Sequence, residues 1–338
     1  MDTVYPGCYA LASLGFRFEQ VDIGTGTDEA LMAKSKVQSR RLPANGVEAR
    51  PIEHWETVTV NTWGEMQERL SGTSSPYATD WAFRGMPNFD WPLATSLERL
   101  EVGNLSNQAE RSLLASFKRR AHHYLRDLPD GHDNLEWLAL MQHHGAPTRL
   151  LDWTRSPYVA LFFAFEAARE PDGFCALWAI DLNWCRQRSR DVVEQRVSRN
   201  LNPQESLGNA AVFNQVFLEA TIEFVAPLQP FRMNERLTIQ QGLFLCPGSA
   251  ETPFMHNLKG LDTSQGVLRH SLHKLRVPRT LRAEVLKALA RMNIGRATLF
   301  PGLDGFAQSL GVNVEVATTR GTISQELANI ARFEEWGF

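Results

Sequence analysis

Cysteine is scarce in this chain. Its 338 residues hold four, Cys8, Cys175, Cys185 and Cys246, widely spaced and with no Cys-x-x-Cys pair. That excludes a disulfide-built scaffold and points to free thiols in a reducing cytoplasm. Long hydrophobic runs are missing too. None approaches the roughly 20 apolar residues that span a bilayer, and the mildly apolar residues 7–16 have no basic segment before them. The expectation is a soluble cytoplasmic protein without a membrane partner. Nor does one sign of charge dominate: 35 Lys and Arg face 38 Asp and Glu, a net charge of -3, which gives no electrostatic footprint for nucleic acid. The basic run Lys118-Arg119-Arg120, near His122, His123 and Tyr124, reads first as the wet face of a helix. No His-x-x-x-His pair or carboxylate trio occurs near the other histidines, so no metal site is expected.

What is present is the composition of a globular protein, 43% apolar, 22% charged and 10% aromatic. Residues 1–50 show no sustained period and read as a weakly ordered N-terminal extension. Residues 51–312 read as the compact domain, and 313–338 as a C-terminal helical tail. Val58 to Val60 and Trp81 to Phe83 read as strands, with Thr62 capping a helix to about Leu70. Helical spacing of apolar residues runs from Asn107 to Leu128 and again from Asp133 to His143, where Gly145 is a stop. Ser156-Pro157 is an N-cap followed by a first-turn proline, opening a helix that is apolar nearly all round. Strand patterns follow at Phe174–Asp181, Thr221–Val225, Leu243–Cys246 and Gly266–Leu275, with helices at Thr280–Met292, Leu303–Leu310 and Ile323–Trp336. The fold class is α+β: one domain whose helix-rich first half packs on a mixed or antiparallel sheet built largely from the second half.

Three blocks are polar where their surroundings are apolar. They are Phe83-Arg84-Gly85, the stretch Gln142 to Pro157, and Glu235 to Phe244. A loop that only reversed the chain would use Gly, Pro, Asn and Ser; charged and aromatic groups between core elements suggest a site. A buried Arg84 needs carbonyls or anions on its five donors. It has two readings, phosphate capture or a bond to Asp152 or to carbonyls. Arg149 likewise either joins Arg84 on an anion or closes an internal network with Asp152.

These same residues carry a resemblance. The chain resembles the FRG-domain family, through Phe83-Arg84-Gly85, Gln142 to Thr154, Glu235-Arg236 with Gln241-Gly242-Leu243-Phe244, and Leu299 to Gly305. The resemblance implies an intracellular, bacterial and phage-associated setting. A looser likeness links the Arg-Gly at the end of an early strand to the first motif of arginine-type mono-ADP-ribosyltransferases. Thr148, Thr154 and Ser156 stand for their Ser/Thr strand. Gln240-Gln241 stands where those enzymes carry a glutamate, and an amide cannot supply its charge.

The expectation for function is a polar cleft holding a small phosphorylated or nucleotide ligand. Arg84, Gly85, Thr148, Arg149, Trp153, Thr154, Arg236, Gln240, Gln241 and Gly242 would bind it. His143, His144, Asp152 and Glu235 would supply acid, base or carboxylate groups. The residues fix no cofactor; NAD is the one the second likeness implies, with ADP-ribosyl transfer or NAD hydrolysis as the chemistry. The alternative is a non-catalytic sensor or interaction domain, in phage defence or a mobile element, whose polar blocks are structural networks.

Overall fold

The computed structural model describes residues 55–318, apart from 73, 101–106, 198–201, 203–204 and 263–267. The proposed extension 1–50, the helix at 323–336 and most of the C-terminal tail lie outside the described residues. Seven strands form one sheet: β1 (Glu56–Thr59), β2 (Trp81–Met86), β3 (Leu151–Thr154), β4 (Phe174–Asp181), β5 (Val225–Leu228), β6 (Gly242–Pro247) and β7 (Leu272–Pro278). Their order is β1-β7-β4-β2-β3-β6-β5. Only β1 and β7 run parallel; every other pair is antiparallel. The sheet is mixed and the protein α+β.

The helices are α1 (Trp63–Ser71), α2 (Asn107–Ala121), α3 (Asn134–His143), α4 (Pro157–Ala167), α5 (Leu182–Arg196), α6 (Ala210–Phe213), α7 (Glu235–Ile239), α8 (Phe254–Lys259), α9 (Leu268–Ser271), α10 (Arg282–Arg291), α11 (Arg296–Leu299) and α12 (Leu303–Thr318). A π-helical turn, Asn214–Glu219, continues α6. Local chemistry sets many of these ends. Thr62, Asp133 and Ser156 each accept a backbone N–H in the first turn of α1, α3 and α4. Gly145, at φ 80°, ends the chain's run out of α3. Among the described residues, no helix is long and apolar enough to cross a membrane.

Alternation along the strands divides the core between the sheet's two faces. Trp81 and Phe83 pack with Val159, Leu161 and Phe165 of α4 and with α10. Ala82 and Met86 join Leu151, Trp153 and the α3 and α5 side chains in the larger cluster. Gly85 sits where α4 crosses β2. A Cβ there would lie 1.8 Å from the Ala160 carbonyl oxygen, so the third residue of the Phe-Arg-Gly block is a packing requirement.

Some boundaries differ from those the periodicity predicts. Helix α2 stops at Ala121 rather than near Leu128; Tyr124 and Leu125 both donate to the Ala121 carbonyl, and Tyr124 is exposed. Strand β5 begins at Val225, where it pairs with Pro247 of β6, not at Thr221, whose Oγ1 accepts from the Asn107 side chain. Strand β7 begins at Leu272, after α9.

Asn107 belongs to the centre of this arrangement. Arg149, 1% exposed, lies against Glu110, which is 0% exposed. The Arg149 guanidinium donates through Nε to Glu110 Oε2 at 2.5 Å, through Nη2 to Asn107 Oδ1 at 2.8 Å, and through Nη1 to the carbonyl of Phe217 at 2.6 Å. Longer Nη1 contacts reach the carbonyls of Pro247 and Gly248 at 3.4 Å. The Arg149 backbone N–H also donates to Glu110 Oε1. One side chain thereby ties the start of β3 to α2, the π-helical turn and the end of β6.

Two stability outcomes follow from these contacts. Arg149→Met strands the Glu110 carboxylate in the interior and should cost about 3–5 kcal/mol in urea unfolding; adding Glu110→Leu should return much of that loss. Gly85→Ala should cost about 1–3 kcal/mol by forcing α4 off β2, read as a lowered Tm.

Candidate functional site

A small, open cleft of about 60 Å3 lies between α3, β3, the segment around α7, and β6. Gln142, His143, Asp152, Asn234, Arg236 and Gln240 supply its polar lining, with Ala139, Leu237 and Phe244 beneath. The second and third polar blocks therefore meet, and the first supports them from inside the sheet. Strands β2 and β3 pair at Phe83 and Thr154. Arg84 Nη1 donates to the Asp152 carbonyl at 2.5 Å, occupying an acceptor that a neighbouring strand would otherwise use. Burial holds the Arg84 pKa down to about 10, with Asp152 pulling it upward and Arg99 downward. Arg84 Nε is buried without a partner. Arg84 does not line the cleft; it fixes the backbone of a residue that does.

Asp152 points out of the sheet, opposite in alternation to buried Leu151 and Trp153. Gln142 Nε2 donates to Asp152 Oδ1 at 2.7 Å. The Thr148 hydroxyl donates in turn to Gln142 Oε1, and Thr148 is itself fully buried. Its backbone N–H donates to Ser96 Oγ and its carbonyl accepts from Ser96 Oγ and the Leu97 N–H. A hydrogen-bonded chain thus runs from the interior to the Asp152 carboxylate.

Arg236 is presented by α7, whose N-cap Asn234 accepts from the Leu237 N–H. Its guanidinium carbon lies 4.4 Å from the centre of the Phe300 ring, which Arg296 also approaches at 4.6 Å. That cation–π contact restrains the guanidinium without using its N–H donors. Burial lowers the Arg236 pKa, Asp152 opposes that shift and Arg296 adds to it. Arg296 is paired with Glu166. Asp152 and Arg236 feel each other, yet neither is in an ion pair among the described residues.

His143 closes the rim at the last turn of α3. Burial lowers its pKa, and the neighbouring His144 and Arg236 lower it further, so the ring is neutral at pH 7. Gln240 caps α7 and donates from Nε2 to the Leu299 carbonyl at 3.0 Å.

Other expected site residues serve the scaffold. Arg149 does not join Arg84 on an anion, nor does it bond Asp152: its donors are taken by Glu110, Asn107 and carbonyls, because its position beside β3 turns it into the core. Thr154 Oγ1 donates to the Gln240 carbonyl and accepts from the Ser156 N–H. Trp153 is buried. Gly242 packs under Leu237, and Gln241, exposed at φ 49°, makes the turn into β6, its carbonyl accepting from the Arg155 N–H. Gly85 meets α4. Glu235 and His144 are exposed and do not line the cleft.

Sequence reasoning placed Gln142 in a polar block without giving it a role, and missed Asn234 and Phe300 as parts of the site and Glu110 as the partner of Arg149. One signal was readable for Glu110: it falls on the helical stripe of buried Leu114 and Ala121, an acid among core positions.

No curated protein and no solved structure matches the chain. Residues 79–173 match the family model of the FRG domain. That span takes in β2, the Phe83-Arg84-Gly85 block, β3 with the residues before it, and α4. It stops short of α7 and β6, which complete the cleft. The chain carries an FRG domain, and Arg149, the β2–β3 pair and the Asp152 wall of the cleft all lie within its matched residues.

Proposed function

We propose that the cleft binds a small phosphorylated, nucleotide-like ligand. The observation that carries the reading is a pair of opposite charges, Asp152 and Arg236, held in one cleft by separate supports and not paired with each other. A ligand that brings an anion and hydrogen-bond donors satisfies both. The stacked Arg236 presents the forked N–H edge suited to a phosphate, and Asp152 takes the donors. Gln240, whose amide is anchored on the Leu299 carbonyl, offers its remaining oxygen to a base.

The same geometry supports cleavage of a nicotinamide riboside bond. In that reaction the C1′–N1 bond breaks, nicotinamide leaves with the bonding electrons, and water adds to C1′ with loss of a proton. The carboxylate that would stabilise the positive ribose is Asp152, not a residue of the Gln240-Gln241 pair. A second reading, a binding or interaction domain without chemistry, draws on the residues already consumed by internal bonds: Arg149, Thr148, Thr154, Ser156 and Gly85. NAD turnover separates the two readings. Hydrolysis by the wild-type protein that Asp152→Asn abolishes supports an enzyme; AMP binding without NAD consumption supports the second reading.

Calorimetric titration with AMP tests the cleft itself. Arg236→Gln should weaken binding about 10- to 100-fold, the loss of a charge-assisted hydrogen-bonded contact, with little change in Tm. AMP that binds wild type and Arg236→Gln equally would remove Arg236 from the site.

Affinity should also depend on pH with a definite sign. His143 is neutral at pH 7 because its pKa lies below the ordinary 6.5. An anion seated on Arg236 favours the imidazolium and raises that pKa, so binding takes up a proton. Affinity for a pyrophosphate diester, which does not itself titrate there, should rise from pH 7.5 to pH 5.5. It should stay flat in His143→Gln.

A further inference from the structure

The turn that leaves α11 touches two side chains of the cleft without lining it. Leu299, the last residue of α11, accepts on its carbonyl from Gln240 Nε2 at 3.0 Å. The next residue, Phe300, sets its ring centre 4.4 Å from the Arg236 guanidinium carbon. Phe300 is held in turn from both directions of the chain. Its ring meets Phe163 of α4 edge-on, with centres 6.0 Å apart. The first turn of α12 then returns so closely that a Cβ on Gly305 would stand 1.9 Å from the Phe300 carbonyl oxygen. Arg296 also approaches the Phe300 ring, at 4.6 Å. Its charge is met by Glu166 at 3.3 Å, and its Nε donates to Gln308 Oε1 at 3.1 Å. Of the two guanidinium groups at this ring, Arg236 is the one left without a carboxylate among the described residues.

We propose that the turn from Leu299 to Gly305 supports the anion-binding side of the cleft, with Phe300 a positioning residue that acts through Arg236. This rests on the reading of the cleft as a site for a phosphorylated ligand and adds what restrains its cation. A long side chain that is free in solution loses rotamer freedom when it grips an anion, and one already restrained loses less. An aromatic ring suits that task better than a carboxylate. It attracts the guanidinium through the ring face and takes none of its N–H donors, whereas a carboxylate would occupy the donors an anion needs. Gly305 belongs to the same device, because a side chain there would push Phe300 away from its place beside Arg236. The turn lies beyond residues 79–173, so the cleft draws on a second, separate stretch of chain for its support.

A double-mutant cycle read by calorimetric titration with AMP tests the support, using Phe300→Leu, Arg236→Gln and the two combined. Phe300→Leu keeps an apolar side chain against Phe163 and should weaken AMP about 3- to 10-fold, the effect of no longer restraining one long side chain in advance. Phe300→Tyr keeps the ring and should bind as wild type does. The double variant should bind no more weakly than Arg236→Gln alone, because the support then has no guanidinium to restrain. A plain packing loss behaves differently: it lowers Tm in both backgrounds and leaves the cycle in AMP affinity uncoupled. Should Phe300→Leu not fold, Phe300→Met and Gly305→Ala make the same comparison. Unchanged AMP affinity in Phe300→Leu, with Arg236→Gln weakened, overturns this inference while the nucleotide reading stands. Equal weakening by Phe300→Leu in both backgrounds overturns its action through Arg236. Failure of AMP to bind wild type at all overturns the nucleotide reading, and this inference with it.

Discussion

A guanidinium taken out of water must find acceptors for its donors, and the architecture is organised around that demand at Arg149. Desolvating a charge pair costs several kcal/mol per ion unless geometry and extra hydrogen bonds return it. Here they come from a carboxylate, an amide oxygen and backbone carbonyls on α2, the π-helical turn and the end of β6. The π-helical turn supplies the Phe217 carbonyl. The pair holds four remote parts of the chain in one register more than it adds net stability. A wrong packing of α2 on the sheet leaves a buried charge alone.

The site inherits its precision from that fixed point. Thr148 precedes Arg149 and Asp152 follows it by three, so one stretch of backbone sets both ends of the hydrogen-bonded chain through Gln142. Arg84 secures the stretch from β2 by taking the Asp152 carbonyl. The Phe-Arg-Gly block therefore acts through structure: Phe83 in the core, Arg84 on a strand carbonyl, Gly85 beneath α4. Each holds in place a wall of the cleft that none of them lines.

Local chemistry was readable in the amino acids, and long-range partnership was not. Thr62, Asp133, Gly145 and Ser156-Pro157 each specify an end within a few residues of themselves, and α1, α3 and α4 begin or stop there. Strand patterns at Phe174–Asp181 and Leu243–Cys246 were legible because burial on both faces leaves continuous apolar runs. Helix α5 escaped notice. Its buried Cys185, Ser189, Val192 and Val193 are diluted by arginines, and Ser189 is polar. The polar blocks stood out against apolar neighbours, which located the cleft. What each arginine does was hidden, since Arg84, Arg149 and Arg236 differ only in the partner that tertiary packing delivers. Arg149 meets an acid 39 positions away on α2, while Arg236 meets an aromatic ring on the loop after α11.

That difference in partners separates scaffold from site. Arg149 has a carboxylate and a full set of acceptors, so nothing remains for a ligand to supply. Arg236 has a ring face, which restrains the guanidinium without satisfying its N–H edge. Asp152 has one amide N–H on one oxygen. An ion pair across an open cleft would add only about 0–1 kcal/mol, and these two opposite charges do not form one. Instead, Asp152 is drawn toward Gln142 and Arg236 toward Phe300, by supports that belong to different elements. Sites that retain such uncompensated groups are where local stability gives way to function. The separate anchoring of the two charges is thus what the proposed function builds on, with a ligand taking the place each would otherwise give the other.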